Sequence, residues 1–301
     1  MKKRYKILIA LLITGILIGL FLFSISTAIP NNIQINSLTK VEQQQGREIM
    51  KLMLQAHGGK EQFNKFKTAK TIFRHDITFA PYRWMFGFYG HNPQLIKMTT
   101  LIGTDNGRVE FIDGPNNKLQ WGIQNWACYK IAPNSKPVFE QSFDAFFYIP
   151  TGAYFQFLPF RIQEANKVAL IGVKEWEGHT YDLVIATWNR FETQRYIDQY
   201  VLWINQETRR LDYMTFTVRD QGSFVKATIS FNDYRNINGL LLSFDSHIVF
   251  GDDPDDVPIL HDFKVSSINL FESANEDYFF PKPELRYEKP NISLYFKSLT
   301  Q

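Results

Sequence analysis

The hydrophobic pattern changes its period along the chain. Residues 7–23 are apolar almost throughout, broken by Thr14, Gly15 and Gly19. A polar stretch follows. Then Ile49, Leu52, Met53 and Ala56 fall on one face at i, i+3, i+4 and i+7, which predicts a helix beginning near residue 41. His57-Gly58-Gly59 ends it, because glycine supplies the left-handed conformation that closes a helix. Phe63 and Phe66 predict one more amphipathic turn. Beyond residue 68 the period becomes two. Phe73, Ile77 and Phe79 alternate with Arg74, Asp76 and Thr78; Tyr82, Trp84, Phe86 and Phe88 alternate with Arg83, Met85, Gly87 and Tyr89; Ile96, Met98, Thr100 and Ile102 continue the series. Asn106-Gly107 predicts a two-residue hairpin, and Phe111 and residues 119–123 the next strands. Six further strands are predicted at 181–188, 199–205, 211–219, 224–231, 240–250 and 263–271, separated by turn residues such as Glu177-Gly178 and Asn238-Gly239. In the strand 240–250, Leu240, Leu242, Phe244, Ile248 and Phe250 share one face, while Asp245 and His247 take the other. Short turns between such strands imply an antiparallel meander with one apolar and one polar face.

Residues 138–165 fit neither period. Phe139, Phe143, Phe146 and Phe147 predict a short helix ending before Pro150, and Tyr154-Phe155-Gln156-Phe157-Leu158-Pro159-Phe160-Arg161 is very aromatic for a connection. A long insertion in a compact β-domain serves as a lid or binding loop, or else caps an open barrel end.

The first residues add Lys2, Lys3, Arg4 and Lys6 ahead of the apolar run. A basic start followed by an apolar core is a membrane-targeting segment. The run of about 17 residues, extended by weakly apolar residues 24–29, reaches the length of a spanning helix. An uncleaved anchor over residues 1–30 is therefore the expectation, with a signal peptide cut after Ser26-Thr27-Ala28 as the alternative. Either case places the bulk of the chain outside the cytoplasm, in the periplasm or at the cell surface. The expected organisation is anchor or signal at 1–30, a polar stalk at 31–40, one β-domain at 41–283 and a tail at 284–301. The formal charge of +3 gives no reason to invoke nucleic acid. Cys128 is the one cysteine, so an intrachain disulfide, a multi-cysteine metal site and an acylated N-terminal cysteine are all excluded.

Catalytic motifs are missing: there is no Gly-x-Ser-x-Gly elbow, phosphate-binding glycine loop or His-Glu-x-x-His helix. The six histidines are scattered, His57 beside its glycines and His75 on an apolar strand face. Cys128 reads as a buried, inert thiol. Asp252, Asp253, Asp255 and Asp256 are the weak candidates for a Ca²⁺ site, without the spacing of a known calcium loop. No cofactor is implied. A hydrolase using His57 or the aspartate cluster lacks a legible nucleophile–base pair. What remains is apolar surface. The 27 phenylalanines and 14 tyrosines exceed what an ordinary core requires. Trp84, Phe86, Phe88 and Tyr200 are expected on strand faces, with Phe155, Phe157 and Phe160 folding over them to line a ligand cavity. The competing account is a filled aromatic core in a structural or interaction module of the cell envelope.

Ala56-His57-Gly58-Gly59 after an amphipathic helix, followed by Phe63, resembles the start of the LolA/LolB-like lipoprotein-carrier superfamily, in its divergent members carrying N-terminal membrane segments. Tyr154-x-Phe-x-Leu-Pro-Phe160 resembles their central segment. Tyr200-Val-Leu-Trp-Ile-Asn205 with Glu207-Thr208, and Asp233-Tyr234-Arg235 with Gly239, resemble their later strand pairs. The resemblance spans about residues 41–281. It implies a mainly β fold with a few helices: a curved, unclosed antiparallel β-barrel with a helix and a lid segment over its concave face. It also implies an acyl chain or other lipid as ligand, and a role in lipid or lipoprotein transport. The missing acylation cysteine and the retained leader depart from the family pattern.

Overall fold

The computed structural model describes residues 24–35, 38–86 and 91–288. The leader over 1–23, Phe88 and residues 289–301 lie outside the described residues.

Thr39 starts the first helix. Its hydroxyl accepts the Glu42 N–H (3.2 Å), and the Glu42 carboxylate accepts the Thr39 N–H (2.7 Å), a capping box. Helix α1 (Lys40–Ala56) follows, and α2 (Gly59–Lys65) after the glycine turn, as the helical spacing predicts. Then come β1 (Thr68–Ile77), α3 (Ala80–Phe86), β2 (Gln94–Leu101), β3 (Gly107–Phe111), β4 (Gln120–Gln124), β5 (Ala127–Ile131) and β6 (Val138–Phe139). Two helices interrupt the strands, α4 (Phe143–Gln156) and α5 (Leu158–Arg161). The second strand series is β7 (Lys167–Trp176), β8 (His179–Thr187), β9 (Tyr200–Asn205), β10 (Leu211–Thr217), β11 (Lys226–Ile237), β12 (Leu240–Val249) and β13 (Ile259–Phe271), before α6 (Glu276–Phe279).

All thirteen strands form one antiparallel sheet in the order β6-β5-β4-β3-β2-β1-β13-β12-β11-β10-β9-β8-β7. Its two edges, β6 and β7, do not pair with each other, so the barrel is unclosed. Tight reversals occur where two successive residues accept positive φ: Asn125-Trp126, Glu177-Gly178 and Asn238-Gly239. Asn106-Gly107 behaves differently from expectation. Gly107 is already in β3, and the reversal belongs to residues 102–106, with Gly103 at φ 79°. The Asn106 side chain instead accepts the Asn125 N–H (2.7 Å), tying two turns together.

Three expectations need correction. The strand predicted over Tyr82, Trp84 and Phe86 is the helix α3. Met85 and Tyr89 are apolar too, so the alternation there was too weak to carry a strand, and Pro81 sits well in a first helical turn. The helix expected to stop before Pro150 runs on to Gln156, with Pro150 inside it. The segment 31–40 is polar at its tip, yet Ala28 and Ile29 are buried, and Ile33, Ile35 and Leu38 pack with Tyr181, Leu183, Val201 and Trp203 on the outer face of the sheet. Their strand neighbours Val184 and Leu202 point the other way, toward Met50 and Met53 of α1. The segment expected as a stalk is, in good part, a strap over the sheet.

Antiparallel order gives the sheet two distinct ends. One carries the Gly103, Asn125-Trp126, Glu177-Gly178 and Asn238-Gly239 reversals. It is filled: Phe63 of α2 stacks on Phe160 (4.4 Å) and packs on Phe157 (5.6 Å), above Leu240, Leu242 and Phe244. His57 clasps this end. Its Nδ1 lies 2.9 Å from the Leu241 carbonyl, and its Nε2 accepts the Leu211 N–H (3.2 Å), which together set the neutral tautomer with the proton on Nδ1. Gly58 (φ 112°) lies so close to Gly239 that a Cβ there would meet the Gly239 carbonyl oxygen at 2.3 Å. The opposite end carries the long connections β1–β2, β8–β9, β10–β11 and β12–β13.

Candidate functional site

Between the curved sheet and α4 lies a cavity of about 940 Å³; the long connections supply Phe79, Tyr82, Tyr196, Gln221, Phe224, Phe250 and Pro258 to its wall, the side taken as its mouth, and Asp105, Trp126 and Arg161 line it toward the other end. That volume is at the upper end of the range for small-molecule sites. Its inner wall is apolar. Ile96, Met98 and Val109 come from β2 and β3, Phe146, Phe147 and Phe155 from α4, and Phe216, Ala227 and Ile248 from β10, β11 and β12. The helix is there because its Phe-rich turns bury on the short strands β3–β5, with Ala145 and Ile149 completely enclosed.

Aromatic contacts shape one side of the space. The Tyr154 and Tyr200 rings lie 6.1 Å apart, Trp188 meets Tyr200 edge-on at 6.0 Å, and Phe155 meets Phe216 at 5.1 Å. The Tyr154 hydroxyl is buried and accepts or donates no hydrogen bond among the described residues; burial pushes its pKa up. Arg161 stands over the Tyr154 ring (5.3 Å) while donating to the Thr104 carbonyl (3.0 Å) and Asp105 (3.3 Å).

Polar groups gather toward the mouth. Asp198 accepts from the Thr217 hydroxyl (3.0 Å) and the Arg219 N–H (2.8 Å), yet burial pushes its carboxyl up to about 6. His75 and His261 face each other (Nε2 to Nδ1 2.9 Å), and Tyr82 lies 3.3 Å from the other His261 nitrogen. Burial lowers His261 to about 4 and His75 well below its ordinary value, so both rings are neutral at pH 7.

Of the residues expected to line a cavity, Phe155 and Tyr200 do so. Phe157 and Phe160 belong instead to the filled core under α2. Trp84 stands on α3, 88% exposed, and the Phe86 backbone ends that helix. Phe146, Phe147, Tyr154, Trp188 and Phe216 line the space without having been singled out as ligand contacts. The run of phenylalanines from 143 to 147 was the available signal, since so many rings on one short helix need a large apolar surface.

The other sequence candidates have ordinary structural roles. The Asp252 carboxylate pairs with Lys226 (2.6 Å) and Asp253 with Lys174, while Asp256 accepts two backbone N–H groups (2.8 and 2.9 Å). Lysines therefore supply positive charge to two of the four aspartates and backbone N–H groups hold a third. Asp245, His247 and Asp262 converge on the sheet, but Lys264 places its ammonium 3.0 Å from Asp245. Cys128 is buried, and burial pushes its thiol up to about 11. Burial holds His57 at about 4.

No family model matches the sequence, and no curated protein is similar to it in sequence. The fold, by contrast, is shared with solved structures. A domain assigned to outer membrane lipoprotein sorting, from Vibrio parahaemolyticus, matches 80% of this chain and 98% of its own at 10% identity, with a TM-score of 0.50. The fold is LolA-like. A DUF1329 family protein from Desulfovibrio piger matches 79% of this chain and 97% of its own at 12% identity, again with a TM-score of 0.50. A LolA superfamily protein from Nitrosomonas europaea gives 0.45 at 12% identity, over 75% of this chain and 96% of its own. At these identities the likeness is one of architecture. Among the described residues no helix is long and apolar enough to cross a membrane.

Proposed function

We propose that this protein is an extracytoplasmic, membrane-held binding protein for a lipid or acyl chain, which it carries in the apolar cavity and passes to or from the nearby bilayer. The observation that supports this most is the open space itself: about 940 Å³ lined by aliphatic and aromatic side chains. Burial alone suffices as a driving force. At about 0.8 kcal/mol per buried CH₂, a 16-carbon chain gains on the order of 10 kcal/mol before ordering costs. The polar lining at the mouth, Asp198 with Thr217, Asp220 and Lys226, suits a polar headgroup held near water while the chain lies inside. The architecture shared with a domain assigned to lipoprotein sorting agrees with this assignment. On this reading the leader is retained, and Ala28 and Ile29, which flank the sequence-suggested cleavage point, pack into the folded domain.

A filled structural core fits less well, since side chains leave the space open. A hydrolase fits less well again, because no serine or cysteine among the described residues lines the cavity, and the two ring nitrogens of His57 are engaged by backbone groups. Titration with a fluorescent fatty acid tests the proposal. Saturable binding, displaced by unlabelled long-chain fatty acid and weakened as the chain is shortened, is the expected result. A purified protein that takes up no probe counts against it.

A further inference from the structure

The chain enters the domain at the mouth of the cavity, and that fixes which way the mouth points. The Ser26 N–H donates to the Ser223 carbonyl (2.9 Å), its hydroxyl donates to the Val225 carbonyl (3.0 Å), and the Ser223 hydroxyl donates to the Ser24 carbonyl (2.7 Å). The Arg219 guanidinium clamps the same point, donating to the Ser26 hydroxyl (3.1 Å), the Ser26 carbonyl and the Ser223 carbonyl. Thr27 adds a bond to Gln199 (3.0 Å). Ser223 lies in the β10–β11 connection, whose Gln221, Phe224 and Val225 line the mouth. Ser24 and Ser26, which follow the apolar run in sequence, are thereby fastened to the rim.

The same end of the sheet presents apolar side chains to solvent. Trp84 (88% exposed), Val257 (83%) and Tyr196 (69%) come from three different connections, with Phe79, Phe250 and Ile259 half as exposed beside them. The remote end is covered in part by α2 and its filled core, and its exposed apolar side chains, Val173 (56%) and Phe271 (43%), are fewer and less exposed. We infer that the mouth of the cavity is seated on the bilayer surface, held there through the apolar run that precedes Ser24 in sequence, with the exposed apolar side chains dipping into the headgroup layer. Ligand then passes between bilayer and cavity without crossing water. The β12–β13 connection also bears Asp252, Asp253, Asp255 and Asp256, two of them paired with lysines, so the contact rests on apolar side chains and not on attraction to anionic lipid.

This inference rests on residues 7–23 being inserted in a membrane. Full-length protein is reconstituted in phosphatidylcholine vesicles and labelled with an environment-sensitive dye at Val257→Cys, at the mouth, or at Glu207→Cys, in the β9–β10 turn at the remote end. Cys128, buried, stays in place. Vesicles containing brominated phosphatidylcholine should quench the dye at position 257 several-fold more than at 207. Arg219→Gln, which removes the clamp, should bring the two values together; an unchanged contrast overturns the clamp as the orienting device. Protein that floats with the vesicles but shows equal quenching at the two positions overturns the orientation alone. Protein that does not float overturns the membrane-held reading as well. Fatty-acid binding is read separately, so an empty cavity with strong quenching at 257 leaves the orientation standing.

Discussion

The two ends of the curved sheet use the same residue types for opposite purposes. At the remote end Phe63, Phe157 and Phe160 interlock with Leu240, Leu242 and Phe244, and the His57 ring closes the seam between two strand pairs. Along the cavity wall Phe155, Phe216, Trp188 and Tyr200 touch at their edges and leave space between them. An aromatic residue there has a partner on one side only, and a ligand can supply the other. Aromatic content alone does not separate the two jobs. The deciding factor is whether a helix descends into the space, as α2 and α5 do at one end only.

The largest effects should come from the filled end. Phe160→Ala removes a ring stacked on Phe63 and should cost about 3–5 kcal/mol in chemical denaturation, with fatty-acid affinity unchanged in the folded fraction. Phe155→Ala should do the reverse, lowering affinity by about tenfold, roughly 1.4 kcal/mol, with a smaller loss of stability. If both variants lose affinity and stability alike, the division between a structural and a binding end fails.

Acid should separate the ends next. His57 falls from 6.5 to about 4 on folding, and so does His261; burial lowers His75 as well. Between 6.5 and 4 the unfolded chain binds more protons than the folded one, so stability falls as pH drops through that window, by on the order of 3 kcal/mol each for His57 and His261. Asp198 acts in the other direction. Its carboxyl is raised from 3.8 to about 6, so it binds its proton first in the folded state and gives back stability over much of the same window. Asp198 thus offsets part of the acid sensitivity that His75 and His261 give the mouth, while His57 brings its own to the remote end. Denaturation midpoints measured from pH 7 to 4 should flatten in His57→Asn and steepen in Asp198→Asn.

The smallest expected change in stability is also the sharpest test of empty space. Gly152 faces the cavity from α4, and a Cβ there would meet only the Met98 side chain, at 3.3 Å. Gly152→Phe should hold or slightly raise stability, because glycine is a poor helix former, while reducing ligand affinity at least about tenfold. Overpacking of a filled core would instead cost about 1–3 kcal/mol.

Much of the fold was legible from period alone. Ten of the strands and both leading helices announce themselves through alternation, glycine stops and turn pairs such as Asn238-Gly239. The motif residues of the resemblance, His57-Gly58 and Tyr234 with Gly239, meet one another: the Tyr234 ring lies 5.2 Å from His57, and Gly58 presses on Gly239. They mark how the fold is clasped and say little about its ligand. The site was harder to see. Phe155 and Phe157 are two positions apart in a sequence that reads as a strand or loop, but one ends up on the cavity wall and the other in the core. That difference is set by where α4 gives way to α5, which no local pattern discloses. Trp84 was misplaced because a run that is apolar at nearly every position, Arg83 apart, satisfies a strand period and a helical one equally well.

The account stands or falls on whether the cavity carries lipid. Native mass spectrometry of the protein purified in mild detergent, followed by solvent extraction and lipid analysis, should show one bound acyl-containing molecule per chain in the wild type and a largely empty Gly152→Phe. A wild type that is empty in repeated preparations and takes up no added fatty acid, with its stability unaffected by ligand, would contradict the central claim.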